Sequence, residues 1–196
     1  MNIYYNAEYT GPNRHSHLIS MGFVAETGQR LYLEFYDVPA YLLSDYDINE
    51  VLPETSFYGR TAGSPSKDEF EAHDVEYDVV NISSAPTFIE LWMSKLERAE
   101  DEKFQLVTYC GHYDAVLFYN LFNGVPPYIS RVPYDITAHL ADLMSKDILL
   151  GERIDKVLAD VAQTTKEFTK YSEDVSFLKD NALKYAEMIK YLYHHM

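Results

Sequence analysis

The sequence predicts an α/β domain, a mixed sheet flanked by helices, and three observations predict it. Short apolar, β-rich segments come first, at residues 3–9, 17–26 and 30–36. Helical patterns and further strand-like runs then alternate, at 87–98, 105–110 and 113–122, and the chain closes on a helical run at 177–193. A hairpin needs antiparallel pairing, whereas strands joined through helices pair in parallel, so the sheet must be mixed. At 196 residues and 47% hydrophobic composition the chain suits one domain, 1–196, with a sizeable core.

Each element has its own signal. Ile3–Tyr9 reads as the first strand. His17–Glu26 and Arg30–Tyr36 read as a hairpin around the turn Thr27-Gly28-Gln29. Pro39, Pro53, Gly59, Gly63 and Pro65 punctuate 37–74, which is expected to be an irregular surface excursion. Val75–Val80 is a strand or an extended connection. Thr87 and Glu90 fit a capping box behind Pro86, opening a helix to about Arg98 with Phe88, Leu91, Trp92 and Leu96 facing inward. Gln105–Cys110 is a buried strand, Gly111-His112 a turn, and Tyr113–Phe122 a helix. Tyr134–Met144 starts another helix, 145–176 reads as a helical extension with a polar amphipathic stretch at 151–171, and Phe177–Tyr193 is the terminal helix.

Charge and composition narrow the function classes. The formal net charge is −15, and the 16 basic residues are scattered rather than clustered. Such a chain repels a long polyanion unless metal ions or a local basic patch intervene, which favours a protein partner over unaided nucleic-acid binding. Cys110 is the only cysteine, so an intramolecular disulfide and a thiolate zinc cluster are excluded. No stretch approaches the ~20 apolar residues of a membrane span and no leader pattern opens the chain, so a cytoplasmic protein is expected. There is no Walker loop and no dinucleotide-binding glycine pattern.

Three places gather polar and acidic side chains. Successive strand side chains alternate between faces, so Asn6 and Glu8 share one face at the end of the first strand and Ala7 takes the other. Asp114 falls in the first helical turn after the strand ending at Cys110. The third place is the start of the terminal helix, near Asp180 and Asn181, with Tyr185 one turn on. Other candidates have plainer roles. His15 and His17 are solvated loop residues without a third ligand, His112 is a turn residue, Asp135 is a helix N-cap, and His194-His195 is a fraying terminus. The 18 tyrosines suit core and rim packing, with base stacking or interface anchoring as alternatives.

In this order, these segments resemble the small 3′–5′ exoribonuclease family of the RNase T-like (DnaQ) superfamily. The resemblance is carried by Asn6-Ala7-Glu8-Tyr9 with Leu18–Val24, by Cys110-Gly111-His112-Tyr113-Asp114, by Pro126-Pro127 with Val132-Pro133, and by Asn181-Ala182-Leu183 with Ala186. It implies an RNase H-like sheet and a DEDD-type site in which four carboxylates hold two Mg²⁺ or Mn²⁺ ions and a His activates water. Glu8 and Asp114 match that pattern and are the expected metal ligands. Asn6 stands where the family has Asp, Asp180 where it has the His, and Tyr185 where it has the last Asp.

Hard divalent cations prefer anionic oxygens, and Asn offers one neutral carbonyl. A tyrosine, with its pKa near 10, does not replace a carboxylate at neutral pH. The sequence therefore leads to a degenerate exonuclease-like protein that acts by binding, with no cofactor expected. One form is an acidic inhibitor or counter-defence protein of viral type, directed at a nucleic-acid-handling enzyme. The alternative is a Mg²⁺- or Mn²⁺-dependent 3′–5′ exonuclease using Glu8, Asp114 and Asp180, acting on single-stranded RNA or DNA. A homodimer is compatible with either.

Overall fold

The computed structural model describes residues 1–11, 15–59, 65–99, 101–109, 112–144, 178 and 181–195. Strands β1 (Asn2–Tyr9), β2 (Leu18–Ala25) and β3 (Arg30–Phe35) form an antiparallel meander. The β2–β3 turn closes through Gly28, whose φ of 102° is open to glycine at no steric cost. Strands β4 (Val75–Val80), β5 (Gln105–Thr108) and β6 (Tyr134–Asp135) pair in parallel with β3, β1 and β5. The sheet order is β4-β3-β2-β1-β5-β6. This is an α/β fold with a mixed sheet flanked by helices, the RNase H-like layout expected.

The apolar content of β1–β3 explains the layering, because strands buried on both faces need cover on both. On one face Ile3, Tyr5, Phe23, Leu31, Leu33 and Phe35 pack against α2 (Ala85–Ser94) and α3 (His112–Leu121), with Trp92 and Phe118 at the centre. On the other, Tyr4, Val24 and Tyr32 pack under the terminal helix, here α5 (Ala182–His195), together with Phe70 of α1 (Lys67–Ala72) and Leu140 of α4 (Thr137–Met144). No helix among the described residues is long and apolar enough to cross a membrane.

The local expectations fare unevenly. The 37–74 stretch is less irregular than its glycines and prolines indicate. It carries single helical turns at Ala40–Leu42, Asp47–Val51 and Leu52–Glu54, and then α1. The signal for α1 was available: Ser66 and Glu69 form a reciprocal capping box, with Glu69 N donating to Ser66 Oγ at 3.2 Å and Ser66 N to Glu69 Oε2 at 2.7 Å. Conversely, Thr87 caps nothing. Helix α2 starts two residues earlier, with Pro86 in its first turn, and ends at Ser94. Its buried stripe is Ala85, Ile89, Trp92 and Met93, and Leu91 is 58% exposed.

Residues 134–144 begin as β6 and become helical only at Thr137. Thr137 N donates to Asp135 Oδ1 at 2.9 Å, so Asp135 does satisfy a donor of the first turn, but from one residue ahead of the N-cap, Ile136, whose carbonyl accepts from Leu140 N. His112 opens α3 instead of forming a turn. Helix α5 runs from Ala182 to His195, two residues past the expected end at Tyr193, and the Tyr4 hydroxyl hydrogen-bonds His194 Nε2 at 3.1 Å while His195 stacks on Tyr191. Cys110, Asp180 and 145–176 lie outside the described residues.

Candidate functional site

The end of β1 is where the sheet gathers its polar groups. Asn6 pairs across to Gly22 and Glu8 to Ser20, while Gly22 and Ser20 pair to Tyr32 and Glu34 on β3. Directly opposed residues share a face, so these six positions form two adjacent rows beneath α5. Helix α5 begins above them. A Cβ on Gly22 would lie 2.3 Å from Leu183 Cα and 2.5 Å from the Ala182 carbonyl carbon, so only glycine admits the helix backbone so close to the strand. The helix end is then held by Asn181, whose Oδ1 accepts from Leu183 N at 3.0 Å and Lys184 N at 3.1 Å.

Asp114 enters from the far side of β1. It sits in the first turn of α3, 5% exposed, and its main-chain carbonyl accepts from the buried Tyr5 hydroxyl at 3.1 Å. Burial, then the charge of Glu8, then that of Asp135 push its carboxyl well above the ordinary range. The structure thus brings Glu8, Asp114 and Asp135 into one electrostatic neighbourhood, and Asn6 lies on the same strand end as Glu8. Tyr185, one helical turn from Asn181, is half-buried and packs against the hydrophobic cluster under α5. Asp180 lies outside the described residues.

Around Mg²⁺ or Mn²⁺ the donors at these positions would be two carboxylates, a carboxamide and a phenol, which is not the four-carboxylate set of a two-ion site. Among the described residues, no group of three or more His, Cys, Asp or Glu side chains is arranged to hold a metal ion. Carboxylates crowded in this way can respond to an approaching cation or proton, and that is the chemistry the arrangement supports.

Sequence reasoning missed the neighbour of this site, Glu34. It is fully buried at the end of β3, and its carboxylate accepts from Ser56 N and Phe57 N at 2.6 Å each and from the Tyr77 hydroxyl at 3.4 Å. Burial raises its pKa, and those two backbone N–H groups, with the Tyr32 and Tyr77 hydroxyls, oppose the rise. The phenol of Tyr32 is itself pushed well above its usual value, first by burial and then by the charge of Glu34. Ser20 Oγ, Tyr32 Oη and Asn181 Nδ2 are buried with no hydrogen bond of standard geometry. The signal in the sequence was a Glu inside the apolar run Leu31–Phe35, since a charge in a buried strand is rare unless partnered. No protein-family model matches this chain, and no curated protein matches it either.

Proposed function

We propose that this chain is a catalytically degenerate 3′–5′ exonuclease-like domain that acts by binding, with a protein as its partner. One arrangement supports the reading. Neutral Asn6 and acidic Glu8 end β1 beside an Asp114 whose ionisation is opposed by burial and by Glu8. The fourth family position carries Tyr185, a ring given to helix packing. The pattern resembled needs four anionic ligands, and two of those positions are neutral here. The net charge of −15 turns the choice of partner from a naked polyanion to a protein, including an enzyme that handles nucleic acid.

The test is calorimetric titration with Mn²⁺, run on the natural chain and on the restoration Asn6→Asp/Asp180→His/Tyr185→Asp, followed by incubation of both with single-stranded RNA. The expected outcome is no tight two-site binding and no trimming by the natural chain, with metal binding recovered on restoration. Two-site binding and trimming by the natural chain, abolished in Glu8→Ala, would sink the proposal. The concentration of carboxylates at Glu8, Asp114 and Asp135 favours that second reading, a divalent-ion-dependent exonuclease with a modified site.

A further inference from the structure

The excursion that follows β3 carries exposed aromatic surface on an ordered frame. Tyr41 is 85% exposed, Tyr46 is 59% exposed, and Tyr36 and Ile48 are each half exposed, all within 36–48. Exposed apolar surface marks an interaction site when its side chains are grouped, and four of them fall within thirteen residues here. The chain from 31 to 59 contains no Lys, Arg or His, while Asp37, Asp45, Asp47, Glu50 and Glu54 fall inside the excursion. Asp45 and Glu50 are exposed in the same segment as the tyrosines.

This segment is pinned at both ends. At the start, Asn81 Nδ2 donates to the Tyr36 hydroxyl at 3.0 Å and Ile82 N to Asp37 Oδ2 at 3.1 Å. At the return, Glu34 holds Ser56 N and Phe57 N, and the Tyr58 hydroxyl donates to Phe35 O at 2.8 Å. In the middle, buried Asp47 accepts from Ser44 N at 2.7 Å and Ser44 Oγ at 2.8 Å, closing a turn between Tyr41 and Ile48. Side chains presented from such a frame lose less freedom on binding. The excursion leaves β3 at the end of the sheet where Glu8, Ser20 and Glu34 lie side by side.

We propose that the 36–50 surface, with Tyr41 and Tyr46 at its centre, is a docking site for an arginine-bearing protein surface. A guanidinium lies flat on a phenol ring and pairs at its edge with a carboxylate, so tyrosines beside acids suit it better than they suit an apolar partner. A phosphodiester chain would meet the exposed carboxylates of Asp37, Asp45 and Glu50 here and no cation of the segment. The inference rests on the reading that the domain works by binding, and it names the surface and the chemistry of the partner.

The full-length chain is titrated against a fluorescein-labelled peptide of alternating Arg and Ser, with its Lys counterpart and a single-stranded RNA in parallel, and anisotropy is recorded. Tyr41→Ala/Tyr46→Ala should weaken Arg-peptide binding about tenfold, Tyr41→Phe/Tyr46→Phe should keep it, and the Lys peptide should bind several-fold more weakly. Asp45→Asn/Glu50→Gln should weaken binding more than Glu97→Gln/Asp101→Asn, which removes the same charge from exposed positions elsewhere. Both tyrosines are exposed, so far-UV circular dichroism should report unchanged melting for the alanine pair. The proposal is overturned if the Arg peptide does not bind, if RNA binds more tightly, if the alanine pair binds as the natural chain does, or if the remote neutralisation costs as much. Mn²⁺-dependent shortening of the RNA would overturn the binding reading alone, because the peptide arms do not depend on it.

Discussion

The two faces of the sheet differ in what they bury beside their aromatic rings. Under α2 and α3, Tyr5 stacks on Phe23 at 4.9 Å between ring centres, and Phe23 in turn meets Trp92 and Phe118. Under α5, the end of the sheet instead carries Asn6, Glu8, Ser20, Gly22, Tyr32 and Glu34. Both faces have buried polar atoms without a hydrogen bond of standard geometry, Trp92 Nε1 and Thr108 Oγ1 on the first and Ser20 Oγ and Tyr32 Oη on the second. Among the described residues, only the second buries a strand carboxylate, Glu34, and seats a helix backbone against a strand glycine. Rings interlock on both faces, since Tyr32, Phe70 and Tyr77 stack on the second. The second face adds costly polar groups at one end of the sheet, Glu8, Ser20 and Glu34 side by side.

Neighbouring residues allow that contrast to be broken directly. Phe23→Ala, on the first face, should open a cavity and cost about 3–5 kcal/mol in urea unfolding. Gly22→Ala, one residue away on the α5 face, should cost about 3 kcal/mol by the opposite route, forcing α5 off the strand. The two are separable by proteolysis or hydrogen exchange of α5, which Gly22→Ala should expose and Phe23→Ala should leave protected until global unfolding. If Gly22→Ala is neutral, the close approach of helix and strand is not a feature of the protein in solution.

Smaller effects sharpen the comparison. Asn181→Ala removes the acceptor for Leu183 N and Lys184 N and should cost about 1 kcal/mol, with Asn181→Ser recovering much of it. Asp114 offers a test whose sign depends on pH. Its folded pKa is raised, so the native state keeps a proton that the unfolded chain releases above the ordinary carboxylate range. Its contribution is therefore favourable at low pH and is lost as pH rises from that range through the raised value. Asp114→Asn should flatten this decline and stabilise the protein by about 1 kcal/mol at pH 8, read as a smaller Tm difference between pH 5 and pH 8. Some decline should persist, because Glu34 is shifted in the same direction. A steeper pH dependence in the variant would show that Asp114 is ionised in the folded protein.

Patterns that depend on immediate neighbours were legible. The hairpin around Gly28, the strand from Gln105, the Asp135 bond at the start of α4 and the mixed sheet all follow from turn chemistry and alternation. The Thr87 box misled because Pro86 favours the first turn of a helix, which moved the start upstream and rotated Leu91 into solvent. The site was half legible. Asn6 and Glu8 on one face follow from the two-residue period of a strand. The influence of Glu8 and Asp135 on Asp114 depends on strand order, because β1, β5 and β6 are neighbours only in the folded sheet.

By itself, the sequence determined most of the strands and helices, the acidic charge and the neutral side chains at Asn6 and Tyr185, because local pattern and residue identity carry each of these without geometry. The tertiary structure alone decided the rest: that Gly22 seats α5 and that buried Glu34 ties the 37–59 excursion to the sheet. These are contacts between residues far apart in the chain. A Glu in a strand or a Gly in a strand announces that something approaches, and only the packed chain says what.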